Sequence, residues 1–283
     1  MPAPKSRGAD FWNSSMGHAW VSQQAAISDV FTSVTSVSFN AAAAKPGEYV
    51  VDIGCGTGDT LLEFAEVVGP SGAVLGVDVS VPMLDFARHR AAEAGYSNVS
   101  CALADATTYA FERRRADLVY SRFGVMFFDD PAAAFANLRT ALRSSGRLCF
   151  LCWQPLEKNE WARVPFLAAT RHVQPPAPPA PDAPGPFAFA NPDRVRHLLE
   201  AGGFKDVSCE SYEAELSMGG ARTVDEAVEF SLELGPLARL LGDAGMDLRT
   251  RVAQAVREAL TPYMSQHGVS LRGAAWIVLA RPQ

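Results

Sequence analysis

The stretch VVDIGCGTGDT, residues 50–60, joins a β-type apolar run to three glycines at every second position and runs into a helical pattern from Asp59. Glycines packed so tightly after a strand let a backbone approach something closely. A dinucleotide fingerprint would place G-x-G-x-x-G here, with a pyrophosphate at the N-terminus of the following helix. These glycines stand instead at 54, 56 and 58, where the extra glycine is expected to loosen the turn, and position 59 is Asp. A carboxylate at the positive end of a helix competes with an anion. Asp52 lies inside the strand just before the loop, where it would repel a pyrophosphate. The pattern predicts a guest that carries positive charge.

Outward from this loop, apolar runs alternate with helical periodicity. YVVDIG (49–54) reads as a strand and 59–69 as a helix stopped by a glycine; AVLGVDVS reads as a strand and 81–95 as a helix with Ser80 as N-cap and Pro82 in its first turn. NVSCALAD, DLVYSRF (117–123) and GRLCFLCW (146–153) read as three more strands, with a helix at PAAAFANLRTALRSSG between the last two and Asp129 and Asp130 as its caps. Strands alternating with helices imply right-handed crossovers and a parallel sheet covered on both faces. The fold class is therefore α/β, doubly wound. Further on, 174–192 is proline-rich and predicts a loop, Asn191 caps a helix, KDVSCESYEAEL is a sixth strand, 223–266 is two helical segments, and 270–282 is a terminal strand. Trp20, Gln24, Ile27, Phe31 and Val34 fall on one face of an N-terminal helix. The expected organisation is a single domain overall: 1–45 an N-terminal helical segment, 46–153 the core, 154–190 a proline-rich cap insertion, and 191–283 the rest of the sheet with inserted helices at 216–268.

The chain has 283 residues, 48% of them hydrophobic and 20% charged, with a net charge of -6. This balance disfavours nucleic acid as the main partner, since phosphate neutralisation wants a basic face. No run of about 18 apolar residues suggests a membrane span, and the N-terminus lacks the apolar region of a secretory signal, so a cytoplasmic location is expected. The five cysteines are spread thinly and do not look like a disulfide framework. Cys149 and Cys152 would face opposite sides of a strand. No second C-x-x-C completes a zinc set, and no metal is expected.

The chemistry gathers at the strand ends. Asp52 stands inside the first strand just before its loop, Asp78 ends the second strand and Asp105 the third, the last followed by Ala106. An acid about twenty residues beyond a glycine loop accepts both hydroxyls of a ribose. A ligand with an ammonium, a ribose and an adenine, but no phosphates, fits this order.

These motifs resemble those of the class I S-adenosylmethionine-dependent methyltransferases. VVDIGCGTGDT is similar to their first motif, GVDVS (76–80) to their second, ADA (104–106) to their third, and DLVYSRFGVMFFDDP (117–131) to the fourth strand and its loop. Within the class the chain resembles the small-molecule group around the quinone-biosynthesis C-methyltransferases, where a segment like FWNSSMGHAW (11–20) folds over the cofactor as a lid. The resemblance implies a Rossmann-like, seven-stranded, mostly parallel sheet with an antiparallel last strand. It implies S-adenosyl-L-methionine as cofactor and S-adenosyl-L-homocysteine as product. Carried over by position, Asp52 and the loop backbone at Gly54, Cys55 and Gly56 take the methionine end, Asp78 the ribose, and Val79 and Met83 pack on the adenine. Asp105 and Ala106 read the adenine edge, and Ser121 and Phe123 lie beside the reactive methyl.

Methyl transfer asks mainly for alignment and desolvation, so the motifs identify no catalytic residue. His18 has the pKa range of a base and is either that or a surface or capping histidine on a short helix. Arg122 either holds a carboxylate or is a solvent-facing charge. Trp12, Trp20, Phe123, Trp153, Phe187 and Phe189, with His18 and Arg122, make up the expected substrate pocket, suited to a small apolar or aromatic acceptor methylated on oxygen, nitrogen or carbon. A monomer or homodimer is expected. The alternatives are an RNA or protein methyltransferase, against which stands the lack of an appended basic domain, and a non-catalytic S-adenosylmethionine-binding protein.

Overall fold

The computed structural model describes residues 7–175, 177, 180, 183–242 and 244–283. Three helices come first, α1 (Arg7–Trp12), α2 (Ser15–Ser22) and α3 (Gln24–Ala42). The stripe from Trp20 to Val34 is therefore split, because the backbone leaves helical geometry at Gln23, which caps α2 with φ -101 and ψ 17. The alternating half follows: β1 (Tyr49–Ile53), α4 (Asp59–Val68), β2 (Ala73–Asp78), α5 (Val81–Glu93), β3 (Val99–Leu103), β4 (Ala116–Arg122), α6 (Pro131–Ala141) and β5 (Leu142–Trp153). The remainder is α7 (Glu160–Ala169), α8 (Pro192–Ala201), β6 (Phe204–Ser217), α9 (Val224–Glu233), α10 (Gly235–Leu241), α11 (Met246–Leu260), β7 (Met264–Ser265) and β8 (Gly268–Pro282).

The sheet order is β3-β2-β1-β4-β5-β8-β6. The first five strands are parallel, and β8 runs antiparallel between β5 and β6. The expected seven strands are all present, and β7 adds a short eighth arm paired with the start of β8. Strand β5 begins at Leu142 rather than 146, with a register shift where Ala116 and Leu118 of β4 meet Leu142 and Arg147.

Side-chain alternation decides which face each strand residue serves. Tyr120 of β4 is fully buried, and its ring meets Phe64 of α4 and Phe39 of α3 at 4.8 and 5.6 Å. Its hydroxyl bonds the Ser38 hydroxyl at 2.6 Å, so α3 and α4 cover that face. Phe150 of β5, on the opposite face, meets Phe135 of α6 and Phe189 at 5.7 and 6.3 Å. Cys149 and Cys152 divide in the same way, the first near the Ser38 carbonyl and the second near that of Phe189. Both are buried and unbridged, which fits small core hydrophobes.

The helix caps follow the polar residues before them. Asp130 accepts from Ala133 N at 3.0 Å and Asn191 from Asp193 N at 2.9 Å. Ser80 stands at the N-cap of α5, but its hydroxyl donates to the Trp12 carbonyl at 2.7 Å and makes no cap bond. The second half is more helical than its periodicity suggests. Residues 223–266 hold three helices, because Gly235 at φ +79 and Pro236 break the first pattern. The stretch 154–190 carries α7, with Pro165 inside it, while proline-rich positions 176, 178, 179, 181 and 182 lie outside the described residues. Helices α7, α9, α10 and α11 share a second apolar cluster around Leu237, Val252, Val256 and Leu260.

Candidate active site at the carboxyl ends of the strands

In this strand order the connections reverse direction between β1 and β4, and the crevice of a doubly wound sheet opens at that point. Gly54 (φ +66) sits there, and a Cβ on it would lie 2.9 Å from the Gly124 Cα. A Cβ on Gly124 would lie 2.8 Å from the Ile53 carbonyl oxygen. Ser121 ties the two loops: its hydroxyl donates to Ile53 O at 2.7 Å and accepts from Gly124 N at 3.2 Å. Beside Gly56 (φ +53) the nearest atom to an added Cβ is the Met83 sulfur at 3.8 Å. A Cβ on Gly58 would stand 2.9 Å from that of Ala87 in α5. Gly58 therefore does not loosen the turn; its missing side chain lets the start of α4 meet α5.

The strand-end acids lie where the motif order predicts. Asp78, 7% exposed, accepts from Gly56 N at 2.8 Å with one oxygen and from Ser80 N at 2.9 Å with the other. It joins the first loop to the second, and each oxygen retains accepting capacity for a ribose hydroxyl. Burial raises its pKa, against the lowering effect of the amides of Ser80, Gly56 and Val79. Asp105 accepts from Thr107 N at 2.8 Å. Its neighbour Ala106 is 5% exposed, with its carbonyl taken by Asn137 Nδ2 at 2.8 Å. Met83 is buried and Val79 half-buried. Cys55 is buried, and burial pushes its thiol well above the ordinary thiol range; its contribution to the cradle is backbone.

Asp52 is fully buried on the α4 side of β1. One oxygen accepts from the Thr60 hydroxyl at 2.7 Å, and Oδ1 has no partner among the described residues. Burial lifts its pKa from 3.8 to about 7, opposed by the Thr60 bond and by Arg122. A buried carboxylate oxygen without a donor is costly, and a ligand ammonium is the kind of donor it lacks. The orphaned oxygen, the glycine cradle and Asp78 together fit the methionine and ribose parts of S-adenosylmethionine.

The N-terminal segment closes over this edge. Asn13 donates to Val79 O and accepts from Val81 N, both at 2.8 Å. Gly17 has no room for a Cβ, which would stand 2.1 Å from the Trp12 carbonyl and 3.0 Å from the Ser80 hydroxyl. Helix α2 thus lies against the loop that follows Asp78. Asn13 carries no signal in the sequence, since its partners are 66 and 68 residues away.

Aromatic rings continue the cover. Trp12 meets Trp20 at 5.5 Å and Phe127 at 5.2 Å. Trp20 reaches Phe31 at 6.4 Å, Phe31 reaches Phe123 at 5.2 Å, and Phe123 stacks on Trp153 at 4.0 Å. The structure thus brings together Trp12, Trp20, Phe123 and Trp153, and adds Phe31, Phe127 and Trp161, the last 5.0 Å from Trp153. Phe123 has φ +61, a conformation that bulky residues rarely adopt; the Trp153 stack holds it there.

Two expected pocket residues, Phe189 and Arg122, have partners elsewhere. Phe189 is 1% exposed and packs on Phe135 and Phe150 in the core of the opposite face. It follows a turn from Gly185, whose N donates to Met126 O at 3.0 Å. Phe187 is half-buried against the large core cluster that holds Phe123 and Trp153 as well as Phe189. Arg122 is neither free for a ligand carboxylate nor solvent-facing. It donates to Thr35 Oγ1 at 2.9 Å and Asp59 at 3.2 Å, and lies over the Phe31 ring. A buried acid nearby draws the guanidinium beneath the loop. His18 is exposed on α2. A surface cavity of about 300 Å³ lies between α3 and α4, lined by Thr32, Thr35, Asn40, Glu63 and Arg122 among others; it is polar and sits behind the crevice.

Residues 50–146 match a methyltransferase domain family. The chain is 33% identical over 171 residues to the nocamycin O-methyltransferase of Saccharothrix syringae, covering 58% of this chain and 61% of that protein. It is 36% identical over 121 residues to the ubiquinone/menaquinone biosynthesis C-methyltransferase of Ralstonia nicotianae, covering 41% and 49%. The chain thus spans about half to three fifths of the length of these relatives. A solved structure of a methyltransferase described as putative, from Bacillus halodurans, superposes with a TM-score of 0.55 at 18% identity, covering 88% of this chain and 98% of that one, and shares the fold.

Proposed function

We propose that this chain, whose residues 50–146 belong to the methyltransferase-domain family, transfers a methyl group from S-adenosyl-L-methionine to a small apolar or aromatic metabolite. The observation that carries this is the ordered set of strand-end acids, above all the buried, half-satisfied Asp52 beside Gly54 and Gly56. When bound, S-adenosylmethionine supplies a methyl on a positively charged sulfur and leaves as S-adenosylhomocysteine once an acceptor lone pair or carbanion has taken that carbon.

The chain's own residues align and enclose. Asp52 offers its free oxygen to the ammonium, Asp78 both oxygens to the ribose, and Asp105 with the backbone at Ala106 the adenine edge. Asn13, Gly17 and Trp12 hold the lid against the loop after Asp78, which keeps water from the donor. The rings of Trp20, Phe31, Phe123 and Trp153 form a continuous aromatic wall suited to an apolar or aromatic acceptor. Holding the two reactants in register supplies roughly 7–11 kcal/mol of the barrier reduction. No general base is required for an acceptor that is already ionised, and His18, the one base candidate of the lid, is exposed on α2. Relatives named for O- and C-methylation support oxygen or carbon as the acceptor atom.

Among the described residues no helix is long and apolar enough to cross a membrane. A net charge of -6 supports a small-molecule partner over nucleic acid, and a cytoplasmic place of action belongs to the same reading; light scattering distinguishes monomer from homodimer. The test of the central reading is calorimetric titration with S-adenosylhomocysteine and with NADH, followed by transfer of labelled methyl to aromatic polyketide and quinone acceptors. Binding of NADH alone would reject it.

A further inference from the structure

Beneath the glycine loop lies a buried charge cluster centred on a side chain that is not one of the strand-end acids. Asp59, the first residue of α4, is 6% exposed. Its Oδ1 accepts from Gln24 Nε2 and from Arg90 Nη1, both at 2.6 Å, and its Oδ2 accepts from Arg122 Nη2 at 3.2 Å. The three donors come from three different walls of the crevice. Gln24 is the first residue of α3, at the break after α2. Arg90, on α5, also donates to the Thr57 carbonyl at 2.8 Å, within the glycine loop. Arg122 stands between Ser121 and Phe123 at the end of β4 and reaches Thr35 on α3. Its guanidinium lies 5.1 Å from the Phe31 ring centroid, and Phe31 belongs to the aromatic wall.

Each of these connections fixes something different. Along α3, Ile27, Val30, Val34, Ser38 and Ala42 are buried and hold the apolar side of the helix; at its first residue Gln24 adds a polar tie to Asp59. The glycine loop has three positive-φ residues and little intrinsic stiffness, so the Arg90 bond to Thr57 O matters to its shape. Charge geometry makes Asp59 the common node, because a carboxylate presents about four acceptor sites and can hold several donors at once.

We propose that Asp59 is a positioning residue that couples the docking of the lid helices to the order of the glycine loop, so that donor affinity depends on a side chain that does not touch the donor. The proposal rests on the methyltransferase reading for its affinity readout, and its exchange readout is independent of that reading. The experiment uses the full chain with Asp59→Asn, Gln24→Ala and the double variant. Hydrogen exchange is followed in residues 22–28 and 54–58, and S-adenosylhomocysteine affinity is measured by calorimetry.

Asp59→Asn is expected to speed exchange in both segments and to weaken S-adenosylhomocysteine at least tenfold. Gln24→Ala speeds exchange in 22–28, with an affinity loss of about threefold. The double variant loses no more than Asp59→Asn alone, since both act through one node. Should Asp59→Asn melt early but, while folded, exchange at wild-type rates in both segments, its role is merely structural and the proposal is overturned. Additive losses in the double variant overturn it as well. If Asp59→Asn does not fold, Gln24→Ala decides: unchanged exchange in 22–28 rejects the coupling. If the wild type does not bind S-adenosylhomocysteine, the donor reading fails, and the exchange rates still decide whether Asp59 couples lid and loop.

Discussion

Gly54 and Gly124 meet backbone to backbone at the point where the sheet reverses, with no room for a Cβ on either. Gly54→Ala must place its methyl 2.9 Å from the Gly124 Cα while holding φ near +66. The left-handed conformation alone costs about 1–2 kcal/mol for a residue with a Cβ, and the clash pushes the two loops apart. The expected outcome is a lower melting temperature and loss of measurable S-adenosylhomocysteine binding by calorimetry. Gly95→Ala, at φ +74 with no atom within 4 Å of its Cβ, serves as the control that carries a positive φ without the contact; it should bind normally.

Asp78→Ala removes the partner of both Gly56 N and Ser80 N together with the proposed ribose acceptor. Hydrogen bonds to a charged group contribute about 1.5–3 kcal/mol each. Donor affinity should fall at least a hundredfold while circular dichroism stays native. Asp78→Asn keeps the shape and should retain more binding than the alanine variant. Equal affinity in all three proteins would remove Asp78 from the site.

Asp52 links pH to both stability and binding. Burial lifts its pKa from 3.8 to about 7, so in the unliganded fold it keeps a proton that the unfolded chain has already released. The unfolded state is thus favoured progressively as pH rises from about 4 to 7, with no further change above that window. Asp52→Asn should raise the melting temperature more at pH 8 than at pH 4. Donor binding requires the ionised form opposite the ammonium, so affinity should rise with pH up to about 7. At pH 6, binding should release a proton, visible as a dependence of the calorimetric heat on buffer ionisation enthalpy. An affinity flat from pH 5.5 to 8 would show that Asp52 does not meet the ammonium.

His18 and Trp153 give opposite expectations. His18 is exposed on α2, and surface substitutions away from a site stay within about 0.5 kcal/mol. His18→Ala should leave the methyl-transfer rate within about twofold. Trp153 is 3% exposed and stacks on Phe123. Trp153→Ala should cost about 3–5 kcal/mol of stability by denaturant unfolding and raise KM for an aromatic acceptor more than for the donor, whereas Trp153→Phe should retain most of both.

The loop at 50–60 and the three strand-end acids were legible because their signals are local. A period of two, a glycine that tolerates positive φ and an acid at the end of a strand are each set by the residue and its immediate neighbours. The alternating first half also reads directly, since a parallel sheet buried on both faces demands continuous apolar strands and amphipathic helices between them. Where two patterns overlapped, boundaries slipped: the break at Gln23, the third helix in 223–266, and α7 with its internal Pro165.

What the sequence determined by itself is the sheet, its crevice and the kind of ligand whose charges match the crevice acids. The tertiary structure decided what each aromatic and charged side chain is for. Phe189 and Trp153 look equivalent along the chain, yet they lie on opposite faces of β5, one in the core and one in the aromatic wall. Arg122 read equally as a ligand clamp or as a solvent-facing charge, and Asp59, 63 residues away, holds it beneath the loop. Glycine 58 is a packing surface because Ala87 comes to meet it. Such assignments depend on partners brought together by folding, and no local spacing encodes which of two faces, or which of two acids, a side chain will find.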